Sequence, residues 1–231
     1  MGLSINTVIH TLEGDKALWS LRDQEVHIFT WTGTKITVGR VYVLPEQEEA
    51  DTRRVVLDNG KSVRVTPGQV LLTRLGDMVD ARFVRAGASL MPLYLAQKKK
   101  GGYPIYRQLS DERLAAKAPS DRKTWRSVAR MVYEWRAGNP IPPGMFVRFI
   151  DKNPKNCRPD NLCLEGKPRT RNKDRKLERL KKLGRRPAPD NHSVVGQEAF
   201  GKEPVMRVIP QDCDSFAAGE VFMMGAYGAE S

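Results

Sequence analysis

The sequence contains little cysteine and little histidine, three residues of each among 231. Its cysteines include no Cys-x-x-Cys pair, so neither a zinc knuckle nor a complete disulfide framework is predicted. The cysteines are Cys157, Cys163 and Cys213, and we interpret Cys157 and Cys163, six residues apart, as spare thiols of a reducing compartment. No histidine lies between residues 28 and 191. The middle of the chain therefore lacks the side chain that most often serves as a general base.

Long apolar runs are also missing. No segment approaches the roughly 20 apolar residues that a membrane-spanning helix needs. The N-terminal sequence has no basic stretch followed by an apolar one, which a signal peptide would show. A myristoylation motif at Gly2 requires Ser or Thr at position 6, which is Asn6. We therefore expect no membrane partner.

Positive charge is abundant but unevenly distributed. The chain has 39 Lys and Arg against 27 Asp and Glu, a net charge of +12. Residues 98–187 alone contain 26 basic and 9 acidic residues, a net charge of +17, and the remainder is acidic at −5. This asymmetry favours a separate basic module whose partner is nucleic acid, with duplex DNA the first candidate. The alternative is a solvated basic surface without a partner. The predicted phosphate contacts are Lys98, Lys99, Lys100, Arg122, Lys123, Arg126, Arg169, Arg171, Lys173, Arg175, Lys176, Lys181 and Lys182.

The two flanks have the pattern of short β-strands separated by turns. The Asn59-Gly60 pair between two β-branched runs is a strong hairpin signal, because both central residues of such a turn must accept a positive φ. His10 and His27 lie in two of the predicted strands, where a structural role is expected. Strands at roughly ten-residue spacing are typical of an all-β sandwich or barrel. The predicted strands are 7–11, 26–31, 36–44, 53–57, 62–66, 70–73, 89–93, 193–195, 205–209 and 220–224.

The middle of the chain has helical periodicity instead. A helix is predicted over 120–137, with Ser120 as its N-cap and Gly138 as its stop. A second, strongly basic helix is predicted over 172–183. The stretches 98–102 and 184–189 have the composition of linkers.

The flanks resemble the Hint domain of inteins. Gly2-Leu3-Ser4-Ile5-Asn6-Thr7 resembles its opening block, and residues 55–93, with the Thr66-Pro67-Gly68-Gln69 stretch, resemble its second block. Glu203 to Val208 and Phe216 to Met223 resemble the closing strands. The resemblance implies a mainly β Hint-type domain in two pieces, 1–97 and 188–231.

The splicing chemistry of that family needs side chains that this sequence does not have. The resemblance places the N-terminal nucleophile at Gly2 and the amide-polarising histidine at Gln69. It places the terminal His-Asn pair at Met224 and Gly225, followed by Ala226. Glycine has no nucleophile and cannot cyclise as asparagine does. We therefore expect no protein splicing.

Residues 138–162 resemble HNH homing endonucleases without a gap. The resemblance implies a small α+β insert of the ββα-metal type spanning 98–187. Its general base falls on Phe149 and its metal ligand on Arg148, neither of which suits that role. Asn161 stays at the position that orients the base, and Asn172 is a weak candidate for a later metal ligand. No cofactor is expected, and Mg²⁺ only if the protein is a nuclease.

These observations lead to one interpretation and two alternatives. We expect a Hint/HNH protein that has lost both catalytic activities and acts as a nucleic-acid-binding or structural component through its basic insert. Because intein and homing-endonuclease combinations spread through phage genomes, the resemblance implies a location in the host cytoplasm or a phage virion, with phage structural proteins as further partners. The alternatives are an active HNH-type DNA nickase with an unusual base and a protein-interaction scaffold.

Overall fold

Short strands joined by turns make up most of the structure. It is a computed structural model that describes residues 1–45, 48–97, 104–107, 125–166 and 193–225. The N-terminal part contains β1 (Leu3–Ser4), β2 (Val8–Thr11), β3 (Gly14–Ala17), β4 (Gln24–Trp31), β5 (Ile36–Val43), β6 (Glu48–Leu57), β7 (Ser62–Val65), β8 (Val70–Leu72) and β9 (Met78–Asp80). The middle contains β10 (Leu95–Gln97), β11 (Pro104–Arg107), β12 (Trp125–Ser127), α1 (Val128–Ala137), β13 (Met145–Phe149) and β14 (Leu162–Gly166). The C-terminal part contains β15 (Val194–Met206), β16 (Val208–Pro210), β17 (Ser215–Ala218) and β18 (Val221–Met224).

The N-terminal and C-terminal parts are interleaved in the same sheets. The long strand β15 runs antiparallel to β6, from the Val194–Leu57 pair to the Val205–Glu48 pair. Strand β1 pairs with both β15 and β7, which closes a barrel in the order β1-β15-β6-β7. A larger sheet has the order β16-β5-β4-β2-β17-β18-β8-β9, with β3 paired to β2. Since strands from both flanks alternate in it, the flanks form one discontinuous β-domain, as predicted.

Two clusters of buried side chains hold the fold together. The first lies within the β-domain and includes Leu3, Val65 and Phe216. The second joins residues of the β-domain, such as Leu12 and Phe222, to residues of the middle part. Because this second cluster is continuous, the middle part packs directly on the β-domain. Its members from the middle part are Tyr106, Val128, Ala129, Met131, Val132, Phe149, Cys157 and Leu162.

Polar contacts cross the same junction. The backbone N–H of Cys157 donates to the carbonyl of Leu12 at 3.1 Å, which joins the turn after β2 to the middle part. The Arg158 guanidinium lies 2.6 Å from the Glu13 carboxylate. The ring of Trp135 on α1 meets the ring of His27 edge-on, with 5.5 Å between centroids.

The predicted domain boundaries at 98 and 187 lie outside the described residues and stay predictions.

Three local predictions need correction. Helix α1 begins at Val128, not at 120, because Trp125–Ser127 pairs with β11 as strand β12. The Asn59-Gly60 hairpin is present, but only Gly60 has a positive φ, of 77°, because the Asn59 side chain accepts the N–H of Lys61. The segment predicted as strand 89–93 makes only isolated bridges.

Other sequence predictions lie beyond the described part of the chain, namely the cap at Ser120, the helix 172–183 and the linkers. In the segments that the structure does describe, no helix is both long and apolar enough to span a membrane.

Candidate functional site

The positions that correspond to the splicing centre come together although they are far apart in sequence. Gly2 is buried, and its N–H donates to the Thr66 hydroxyl at 2.9 Å. The Gly2 carbonyl in turn accepts the N–H of Thr66 at 2.9 Å. Gln69, 2% exposed, donates its side-chain amide to the Met224 carbonyl at 2.7 Å. Gly2 is thus linked through Thr66 to the turn that carries Gln69, whose own N–H donates to the Thr66 carbonyl at 3.0 Å.

The side chains at Gly2, Gln69, Met224 and Gly225 include no nucleophile and no titrating group. The Gln69 amide holds the end of β18 where the resemblance expects a histidine. A Cβ at Gly2 would meet only ordinary contacts of 3.4 Å or more. A Cβ at Gly225 would lie 1.9 Å from Pro210 Cγ, so no side chain fits there without movement of the proline. Ala226 lies outside the described residues.

Ser4 is adjacent to this centre but has a different role. Its hydroxyl is buried and donates to Glu203 Oε2 at 2.8 Å. The same carboxylate accepts the Thr52 hydroxyl at 2.8 Å and pairs with Arg64 at 2.9 Å. This cluster satisfies a buried carboxylate that would otherwise be costly to desolvate. Sequence reasoning missed it because its members lie up to 199 residues apart.

Asn161 organises the loop that corresponds to the HNH motif. It is 8% exposed, and its side-chain oxygen accepts the N–H of Asp151 at 3.0 Å. Its Nδ2 donates to Asp151 Oδ1 at 2.9 Å and to the Asn156 carbonyl at 2.8 Å. Hydrogen bonds from the Asn153 backbone, first, and from the Asn161 side chain lower the pKa of Asp151. These hydrogen bonds between protein groups tie the two ends of the loop together.

The two positions that should carry nuclease chemistry are occupied by structural side chains. Phe149, at the base position, is 6% exposed and belongs to the second buried cluster. Arg148 points to the other face of β13 and pairs with Glu165 at 3.4 Å. A guanidinium at the ligand position repels a divalent cation, and phenylalanine offers no oxygen or nitrogen donor. Arg148 and Phe149 therefore do not suit a metal ion at these two positions, and the described residues contain no cluster of three or more His, Cys, Asp or Glu side chains that could hold one.

Comparison with known proteins shows what the chain is similar to in sequence and in fold. Residues 127–167 match the family model described as HNH endonuclease. A mutant of a Ssp DnaB mini-intein variant superposes with a TM-score of 0.51 at 9% identity, over 97% of this chain and 98% of that one. The DnaX mini intein from Spirulina platensis superposes with a TM-score of 0.50 at 9% identity, over 97% and 100%. No curated protein matches the sequence.

The chain has a Hint fold. At such low identity the likeness to inteins shows the architecture alone, a discontinuous Hint domain with an HNH-like segment in its middle. The HNH match connects that middle segment with nucleic acids.

Most of the predicted phosphate contacts lie beyond the described part of this Hint protein. Arg126 is described and lies exposed on β12. The segments 104–107 and 125–166 contain 8 basic and 4 acidic residues, a net +4 of the +17. The predicted phosphate contacts that lie outside the described residues are Lys98, Lys99, Lys100, Arg122, Lys123, Arg169, Arg171, Lys173, Arg175, Lys176, Lys181 and Lys182. The candidate metal ligand Asn172 also lies outside them.

Several described cations of the HNH-like segment already have carboxylate partners. Arg130 pairs with Glu134 at 2.9 Å, and Arg148 and Arg158 have the partners named above. Lys152 and Lys155 are exposed and form no ion pair with another described residue. The positive charges of these two lysines are therefore not neutralised by a carboxylate of the described residues.

The cysteines and the described histidines are held by the fold. Burial raises the pKa of Cys157 to about 12 and the pKa of Cys213 to about 11, which makes both thiols poor nucleophiles. His10 is buried between the Asp15 carboxylate at 2.7 Å and the N–H of Glu220 at 3.3 Å. These contacts support the structural role that the sequence predicted for His10.

Proposed function

We propose that this protein binds nucleic acid without cutting it, using a Hint domain as the platform for a basic HNH-derived segment. One observation carries the proposal. The HNH loop keeps its shape through Asn161, while the base position, Phe149, is built into the second buried cluster. Retention of the loop with loss of its reactive side chain favours binding over catalysis.

The splicing centre supports the same conclusion. Gly2, Gln69, Met224 and Gly225 lie together in a hydrogen-bonded arrangement that lacks a nucleophile. Pro210 occupies the space that a side chain at position 225 would need. We therefore propose that the chain stays intact and that the Hint domain serves as scaffold.

The excess of positive charge in the middle of the chain is the basis for the partner that we propose. We propose that residues 98–187 form the binding module, between Hint pieces 1–97 and 188–231, and that its +17 charge contacts the phosphates of duplex DNA. Most of this excess lies in 167–187, which contains 11 basic and 2 acidic residues. A location in the host cytoplasm or in a phage virion, beside phage structural proteins, is part of the proposal and follows from the HNH resemblance.

The test is binding of a labelled duplex by fluorescence anisotropy at several salt concentrations. Phosphate neutralisation releases counterions, so log K should fall linearly with log salt, by about 0.9 per contact. Replacing Arg171, Lys173, Arg175 and Lys176 by Gln should lower the slope by roughly 3 to 4 units. The control replaces four exposed cations of the Hint domain by Gln and should leave the slope unchanged. These are Arg22, Lys35, Arg85 and Lys202. Equal slopes for both variants, or no binding at low salt, would refute the proposal.

The two alternatives have separate outcomes. A nickase would convert supercoiled plasmid to open circles in Mg²⁺ or Mn²⁺, in proportion to added protein. A protein-interaction scaffold would purify without nucleic acid when nuclease treatment is omitted, whereas a nucleic-acid-binding protein should co-elute with it.

A further inference from the structure

Ile150 lies at the corner of a tight turn that follows strand β13. The N–H of Lys152 donates to the Phe149 carbonyl at 3.2 Å, which closes the turn with Ile150 at its first corner. The Ile150 side chain is 61% exposed, whereas the preceding Phe149 is buried. Turn corners favour Gly, Pro, Asn, Asp and Ser. The turn itself therefore does not require a large apolar side chain at this position.

The backbone on both sides of Ile150 is fixed by hydrogen bonds. Its own N–H donates to the Asn161 carbonyl at 2.9 Å, and the N–H of Asp151 donates to the Asn161 side-chain oxygen at 3.0 Å. Lys152 has a φ of 62°, which a residue other than glycine adopts only where its surroundings impose it. Isoleucine is also stiff about χ1. Little conformational entropy is therefore lost when a partner covers this side chain.

The charges around this corner favour an anionic partner. Lys152 and Lys155 are exposed and form no ion pair with another described residue. The Asp151 carboxylate is directed into the loop, where it accepts the N–H of Asn153 at 2.8 Å. Asp160 is then the exposed carboxylate that opposes the two lysines. The corner keeps a net positive charge, as contact with phosphates needs.

We infer that Ile150 is a wedge that inserts between two stacked base pairs of the bound duplex, while Lys152 contacts a flanking phosphate. The inference rests on the proposed function and adds a source of selectivity to it. Apolar side chains such as isoleucine insert between base steps from the minor groove and kink the duplex by about 20–90°. Because the cost of unstacking depends on the step, the protein should prefer sites that unstack easily, such as a mismatch.

The test compares two short duplexes of the same sequence, one fully paired and one with a single central mismatch. Fluorescence anisotropy measures affinity, and energy transfer between dyes at the two ends measures bending. The unaltered protein should bind the mismatched duplex about tenfold more tightly, since part of the unstacking cost is already removed, and should bend both. Ile150→Ala should reduce this preference to less than about twofold and abolish the bend. Its salt slope should not change, because no charge is removed.

Two further variants separate the wedge from general effects. Val195→Ala shortens an exposed β-branched side chain, 62% exposed on β15 of the Hint domain, and should change neither the preference nor the bend. Ile150→Leu keeps an apolar side chain of the same size and should retain both. Since the side chains at 150 and 195 are exposed, each variant should unfold at the same temperature as the unaltered protein.

Equal affinity of the unaltered protein for the two duplexes, or a preference and bend that persist in Ile150→Ala, would overturn the inference. If duplex binding keeps its salt slope under either result, the wedge fails and the proposed function stands. If no duplex is bound at low salt, both fail.

Discussion

Replacing Phe149 by His tests whether the base position has become structural. The change restores the residue type that HNH chemistry requires, in a side chain that is 6% exposed and part of the second buried cluster. A buried phenylalanine removes about 150–200 Å² from water, which at about 25 cal/mol/Å² corresponds to about 4–5 kcal/mol. Histidine keeps about half of that apolar area, so about 2 kcal/mol is lost.

The imidazole adds a second cost. One ring nitrogen left without a partner in the apolar cluster costs about 1–3 kcal/mol. The expected total is a loss of about 3–5 kcal/mol in the free energy of unfolding, a large share of the stability of a typical domain. Urea unfolding followed by tryptophan fluorescence measures it, because Trp125 and Trp135 pack against the same cluster.

Two controls separate burial from chemistry. Phe149→Leu keeps an apolar side chain and should cost less than about 1.5 kcal/mol. Phe83→His makes the same chemical change at a side chain that is 64% exposed and should cost less than about 0.5 kcal/mol. The reasoning would be refuted if Phe149→His were as stable as the unaltered protein, or if it nicked supercoiled plasmid in Mg²⁺.

Three further predictions follow from individual contacts. Gly225→Ala should lower the free energy of unfolding by about 1–3 kcal/mol, because its Cβ meets Pro210. The measurement is Tm, which should fall by about 2–4 °C per kcal/mol. Adding Pro210→Ala should recover most of the loss, whereas losses that simply add in the double variant would contradict the contact. Asp151 has a lowered pKa, so the stability that its carboxylate adds is present above the ordinary carboxyl pKa and is lost as pH falls through the folded-state value. The free energy of urea unfolding should therefore differ between Asp151→Asn and the unaltered protein at pH 6 and become the same at low pH. A difference that stays constant with pH would contradict this. Cys157, buried and with a pKa of about 12, should resist iodoacetamide at pH 8 in the native protein and react after unfolding, as peptide mass spectrometry would show.

The discontinuous β-domain could be predicted because single strands and turns have local sequence signals, and because the blocks that resemble a Hint domain occur in the expected order along the chain. The alternating Ile36 to Val43 stretch and the Asn59-Gly60 turn specify a strand and a hairpin by themselves. The order of the blocks around the basic segment then indicated that the two flanks belong to one domain.

Other features depend on contacts that no local pattern encodes. Trp125 has helical spacing with later apolar residues, yet pairing with β11 makes it strand. Phe149 was predicted to be a lost base, but only the fold shows that it packs in a cluster shared by two parts of the chain. The Ser4–Glu203 bond and the contact between Pro210 and Gly225 likewise join residues that are distant in sequence.

The central claim is that the protein binds nucleic acid and does not cut it. It is tested most directly by incubating supercoiled plasmid with the purified protein in Mg²⁺ or Mn²⁺ and running each sample on a gel before and after protein removal. We predict that the plasmid is retarded while protein is present and is recovered fully supercoiled after its removal. Open circles that increase with protein concentration, or a plasmid that is never retarded at low salt, would contradict the account.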